Sequence, residues 1–184
     1  MTSNTSVTDR ESAWEIEKQK LLDAKYPLTA ETRVDVNGDG LNDHITYRVQ
    51  RWQSDFEGRL TIKSSKGKEL WDHEFFMGSN DLAKFLVEVL EYKNSTEWVN
   101  NVFAKDAPYS FKAETVKLKA NDIDDENLKY ASKIHKTSAK RLKDEVLRQK
   151  KNRIYSYRAE WREDLLNLVY IPSLKYFICY SRGY

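Results

Sequence analysis

Cysteine is nearly absent from the chain. Cys179 is the one thiol in 184 residues, so no intrachain disulfide can form and packing must hold the fold. It stands in Tyr-Phe-Ile-Cys-Tyr, an apolar setting that marks it as a buried small hydrophobe rather than a reactive thiol. Long hydrophobic runs are missing too, and nothing approaches the ~18 residues needed to span a bilayer. Charge of one sign is not in excess. A formal net charge of +2 excludes a surface tuned as a whole for nucleic acid, although it leaves room for a local patch. No nucleophile elbow, phosphate-binding glycine loop or zinc-ligand spacing occurs, which removes the commonest motif-bearing enzyme classes. There is no internal repeat and no low-complexity stretch, so solenoids and multi-blade propellers are excluded.

What is present describes a globular protein. Hydrophobic residues make up 40% and charged residues 33%, outside the composition of disordered chains. The length suits one domain with a sizeable core. Eleven tyrosines and five tryptophans supply large contact areas with polar tips, useful in cores and binding surfaces alike. The opening stretch, residues 1–8, is polar and reads as a flexible tail ahead of a domain over residues 9–184. It lacks the basic start and apolar centre of a secretory leader. Either the chain is a mature form whose leader was removed, and so periplasmic or extracellular, or it is cytoplasmic.

Periodicity predicts one α+β domain: a small antiparallel β-meander packed with several helices. A first helix is expected from Asp9 to about Lys25, stopped by Pro27. Ile45, Tyr47 and Val49 alternate with Thr46, Arg48 and Gln50 as in a half-buried strand. Arg59 to Ser64 and Glu69 to Phe76 read as the next two strands, joined by a turn at Lys66-Gly67-Lys68. A helix capped at Ser79-Asn80 should run to about Tyr92, with Leu82, Phe85, Leu86, Val89 and Leu90 on one face. A short helix is expected at Glu97 to Phe103 and a strand at Tyr109 to Leu118. One long charged helix should follow from Asp125 to Lys151. The C-terminal region, Ile154 to Trp161 and Leu168 to Tyr180, reads as a closing hairpin, with Pro172 at an edge or bulge.

The chemistry concentrates in residues 35–43, Asp-Val-Asn-Gly-Asp-Gly-Leu-Asn-Asp. Calcium takes six to eight oxygens at about 2.3–2.6 Å, and a short loop supplies them only if alternate positions converge on one point. Those positions hold Asp35, Asn37, Asp39 and Asp43, with the carbonyl of Leu41 filling the gap. Gly38 and Gly40 permit the backbone turns that curl the loop. Three carboxylates so close repel one another until a divalent cation neutralises them, so the loop is expected to be poorly ordered without metal. An EF-hand would need Glu at the twelfth position, where Thr46 stands, and an exiting helix, where residues 45–49 read as a strand. The loop resembles instead the Asp-x-Asn-Gly-Asp-Gly-x-x-Asp calcium loop of FG-GAP and VCBS-type repeats, which joins two β-strands. That resemblance covers about a dozen residues and implies Asp35, Asn37, Asp39, the Leu41 carbonyl and Asp43 as Ca2+ ligands. It departs from the family in having a single copy.

Other candidates point less far. Asp72-His73-Glu74 has catalytic residue types, but on a strand the two carboxylates face away from His73. No catalytic set emerges, and the chain is read as a non-enzymatic binding protein. A basic run from Lys129 to Arg158, opposed locally only by Asp144 and Glu145, suits an acidic protein partner or a solvated helix face. In type the chain resembles the immunity proteins that neutralise bacterial toxins, being small, without a catalytic set, rich in aromatics and carrying clustered charge. That implies a protein partner, a toxin enzyme, met in the periplasm. The alternatives are a cytoplasmic nucleic-acid-associated protein using the basic helix 129–153, or a hydrolase without a recognisable motif.

Overall fold

A computed structural model describes residues 15–16, 19–20, 23–78, 81–82, 92–104, 111–158 and 165–183. Two four-stranded antiparallel sheets carry the fold, each a simple meander in chain order. The first contains β1 (Leu28–Val34), β2 (Asp43–Trp52), β3 (Asp55–Lys63) and β4 (Glu69–Met77). The second contains β5 (Phe111–Val116), β6 (Asn152–Arg158), β7 (Leu165–Ile171) and β8 (Tyr176–Gly183). Between the sheets in sequence comes helix α1 (Ser95–Asn101). Between β5 and β6 come α2 (Asp125–Ile134) and α3 (Ala139–Arg148).

Alternation along the strands decides the layering. In β2, Asp43, Ile45, Tyr47 and Val49 are buried while Thr46, Arg48 and Gln50 face outward. Register carries this face across the sheet, pairing Ile45 with Ile62, Tyr47 with Leu60 and Val49 with Gly58. Gly58 is required by packing. It lies opposite Phe75, and an added Cβ would come within 2.4 Å of that ring. The inner face of the first sheet shares one core with Tyr155, Tyr157, Leu166, Leu168 and Phe177 of the second. Trp98 of α1, completely buried, joins this core, its ring tilted against Tyr47 with centres 5.5 Å apart. Asn94 caps α1 by accepting from the Glu97 N–H at 2.9 Å.

The opposite face of the second sheet, with Ile154, Val169, Ile171 and Ile178, is covered by Leu128 and Ala131 of α2 and Leu142 and Val146 of α3. The second sheet is therefore buried on both faces. Asn152 pins the layers together: its Oδ1 accepts from Leu118 N–H at 3.0 Å and its Nδ2 donates to the Val146 carbonyl at 2.8 Å. It is fully buried, so both bonds replace water that cannot reach these groups.

Several sequence expectations change. The C-terminal hairpin is three strands of a full sheet, completed by β5, because Phe111–Val116 pairs with Asn152–Tyr157 across the helices. The single long helix from Asp125 to Lys151 is two. His135 ends α2, Lys136 adopts a left-handed φ of 50°, and Ser138 starts α3 by accepting from Arg141 N–H. Asn152 then begins β6 rather than continuing a helix. Pro172 lies in the β7–β8 turn, where its missing N–H costs no ladder bond, and the bulge falls at Asn167/Leu168. Residues 15–16, 19–20 and 81–82 are helical. The remainder of the expected helices at 9–25 and 79–92, and the tail 1–8, lie outside the described residues, apart from 23–25 and Tyr92.

Candidate functional site

The loop between β1 and β2 begins and ends on paired strands, since Val34 is registered with Asp43. Asp43 is thus the last residue of the loop and the first of a strand, with its side chain turned into the protein and fully buried. Its Oδ2 accepts from Val36 N–H and Asn37 N–H, each at 3.1 Å, and its Oδ1 accepts from Asn37 Nδ2 at 3.0 Å. Burial pushes the Asp43 carboxyl above the ordinary carboxylate range. The two backbone N–H bonds oppose that shift, and the charges of Asp39 and Asp35 add to it.

The rest of the loop is wound around its aspartates. Asp35 accepts from Gly38 N–H at 2.6 Å and from Gly40 N–H at 3.0 Å. Asn37 Oδ1 accepts from Asp39 N–H at 2.8 Å, and Asp39 Oδ1 accepts from Leu41 N–H at 2.9 Å. Gly38 and Gly40 both hold φ of +83°, which a side chain would strain. A Cβ at Gly38 would also stand 2.7 Å from Nε of Arg153 on β6, but that exposed side chain can move aside, so the backbone angle is what calls for glycine. Tyr170 of β7 also approaches; burial, then Asp39 and Asp43, raise its phenol. The loop therefore leans on the second sheet as well as the first. Beside it opens a cleft of about 530 Å³ that extends toward Lys66, Lys68 and Lys175.

These bonds account for the Asp, Asn and Gly spacing in physical terms. Every aspartate expected to be a ligand is in the loop and is held by backbone donors. Among the described residues, no three carboxylate, imidazole or thiol groups stand close enough to share a metal ion. The loop oxygens face N–H groups rather than one common centre. The donor set is nevertheless of the chemical type that calcium takes. It offers hard oxygens only, on a backbone already curled by two left-handed glycines, and rotation of the Asn37 amide would free Asp43 Oδ1. Thr46 faces the opposite side of β2 from Asp43, paired with Glu31 and Thr61, and stays out of this set. His44 is likewise turned outward, 3.1 Å from Glu31.

The Asp72-His73-Glu74 segment divides as strand geometry requires. Asp72 and Glu74 pair with Arg59 on the outer face, at 2.6 and 4.0 Å. The Arg59 hydrogen bond, first among its causes, holds the Asp72 carboxyl below the ordinary range. His73 faces inward, its Nδ1 2.9 Å from the Tyr157 hydroxyl, which also accepts from Trp71 Nε1–H at 3.0 Å. No local sequence signal announced that triad, because Tyr157 lies more than eighty residues from Trp71 and His73. The basic run is shared between α2, α3, their connection and the start of β6. Two of its cations are spent locally, Lys129 on Glu126 and Lys143 on Asp125.

Compared with known proteins, the chain matches no protein-family model, no curated protein and no solved structure.

Proposed function

We propose that the chain is a calcium-binding, non-enzymatic protein-interaction module in which the ion occupies the β1–β2 loop. The ligands would be Asp35, Asn37, Asp39, the Leu41 carbonyl and Asp43. The observation that carries this reading is Asp43. A carboxylate buried at a loop-to-strand junction, with two more aspartates adding repulsion, is a costly arrangement without a counter-ion. A divalent cation relieves that cost and leaves the strands on either side in register.

The role we infer is to bind another protein outside the cytosol, as immunity proteins do against bacterial toxins. Extracellular calcium modules of this class bind at about 10⁻⁴–10⁻³ M, an affinity suited to that compartment. Exposed aromatics support a protein partner: Trp52 and Phe76 meet edge to face, their ring centres 6.4 Å apart, on the outer face of the first sheet. Such residue types dominate interface hot spots. The test is twofold. Isothermal titration with calcium should give one site per chain, and immobilised protein should capture a protein partner from the source lysate whose activity is then titrated away stoichiometrically. Absence of calcium heat would remove the metal reading. Salt-sensitive capture of nucleic acid with no protein would replace the partner reading.

A further inference from the structure

A second site stands where the two sheets approach each other at their edges. Strand β4 ends the first sheet, β8 ends the second, and α2 roofs the gap, enclosing a cavity of about 400 Å³. That volume lies in the range of small-molecule sites, and this cavity shares no lining residue with the cleft beside the aspartate loop. Its walls are aromatic. The Tyr176 ring lies 6.3 Å from Trp71 and 4.9 Å from His135, and Tyr130 and Ile134, 68% and 56% exposed, stand at its rim.

The polar lining of the cavity combines donors with two carboxylates, Asp72 and Glu126. Arg182 of β8 lines it beside the Cys179 thiol, and among the described residues this guanidinium has no carboxylate at ion-pair distance. Both carboxylates of the lining are already engaged: Asp72 with Arg59 and Thr61, Glu126 with Lys129. Glu69 is 3.5 Å from the Tyr176 hydroxyl. His73 supplies a second donor. Trp71 Nε1–H donates to the Tyr157 oxygen, and His73 Nδ1 shares that hydroxyl at 2.9 Å; the tautomer with the ring proton on Nε2 is the one that donates into the cavity. Burial, then the neighbouring Arg182 charge, lower the His73 pKa. Burial likewise lowers His135.

We infer that this cavity binds a carboxylate carried on an aromatic or branched apolar body, the acid against Arg182 and His73 and the body between Trp71, Tyr176 and Ile134. The inference does not depend on calcium in the β1–β2 loop. Two sources offer the same chemistry, a free organic acid and the C-terminal residue of a peptide chain.

The test uses the full chain with labelled histidines. Ring signals of His73 and His135 are followed while 3-phenylpropionate or its uncharged amide is added, and in a parallel arm N-acetyl-Gly-Phe as acid or amide. The acid form of either probe should move both rings saturably, with the amide about tenfold weaker, the worth of a charge-assisted hydrogen bond. Arg182→Gln should bring acid and amide to the same affinity. Stronger binding by the dipeptide acid assigns the site to a chain terminus, and stronger binding by phenylpropionate assigns it to a small acid. Equal binding of acid and amide to the unaltered protein, or ring signals that no probe moves, would overturn the inference without recourse to any variant. So would an acid preference that survives in a folded Arg182→Gln protein.

Discussion

Replacing Asp43 by Asn separates the metal reading from a purely structural one, because the two amino acids have the same shape. Without calcium the substitution changes little. The remaining oxygen can keep the Val36 and Asn37 N–H bonds at Oδ2, while the new amide nitrogen faces Asn37 Nδ2 and loses that bond. The lost bond is worth about 1 kcal/mol, and removing a buried charge offsets part of it. The midpoint in chelator should therefore fall by no more than that ~1 kcal/mol implies. With calcium the variants diverge. A Kd of ~10⁻⁴–10⁻³ M and ~10 mM calcium give RT ln(1 + [L]/Kd) of roughly 1.4–2.7 kcal/mol for the original protein. At about 2–4 °C per kcal/mol for a chain of this size, the melting midpoint should rise by roughly 3–10 °C. Asp43→Asn should lose most of that rise. The assay is thermal melting of both proteins in calcium and in chelator. If the original protein melts at one temperature in both, or the variant keeps the full rise, the reasoning fails. A large loss of stability by the variant in chelator would instead make the carboxylate a structural acceptor alone.

Asp39→Ala should likewise remove most of the calcium-dependent rise and keep the fold, whereas Thr46→Ala, on the far face of β2, should leave the rise unchanged in the same melts. Asn152→Ala leaves the Leu118 N–H and the Val146 carbonyl unpaired, and urea unfolding should show a loss of roughly 2–4 kcal/mol. Asp72→Asn removes the pair with Arg59 and should cost about 0.5–1 kcal/mol at neutral pH. The Asp72 carboxyl is lowered in the fold, so its contribution is whole above the unfolded value near 3.8 and is lost as pH falls from there through the folded value. Urea midpoints of the two proteins should converge over that acid range; a gap constant with pH would refute the assignment.

Local chemistry was legible from the chain alone. The spacing of Asp35, Asn37, Asp39 and Asp43 with Gly38 and Gly40 marks a curled loop, and the structure holds every one of these side chains or backbones in its bonds. Alternation at residues 45–50 marks β2 and its buried face. Asn94 and Ser138 cap helices by bonds spanning only three residues, yet neither cap is among those expected from the sequence, and the expected single helix across Ser138 concealed the second. Tertiary structure decided the rest. Residues 154–161 and 168–180 read as a hairpin because alternation shows that a strand has buried faces, not how many neighbours it has. Only pairing with β5, across two helices, makes a sheet covered on both sides. The edge cavity has no sequence signature at all. Trp71 and His73 stand on β4, Tyr157 on β6 and Arg182 on β8, and the bonds from Trp71 and His73 to the Tyr157 hydroxyl exist only where the two sheets meet over a shared apolar core.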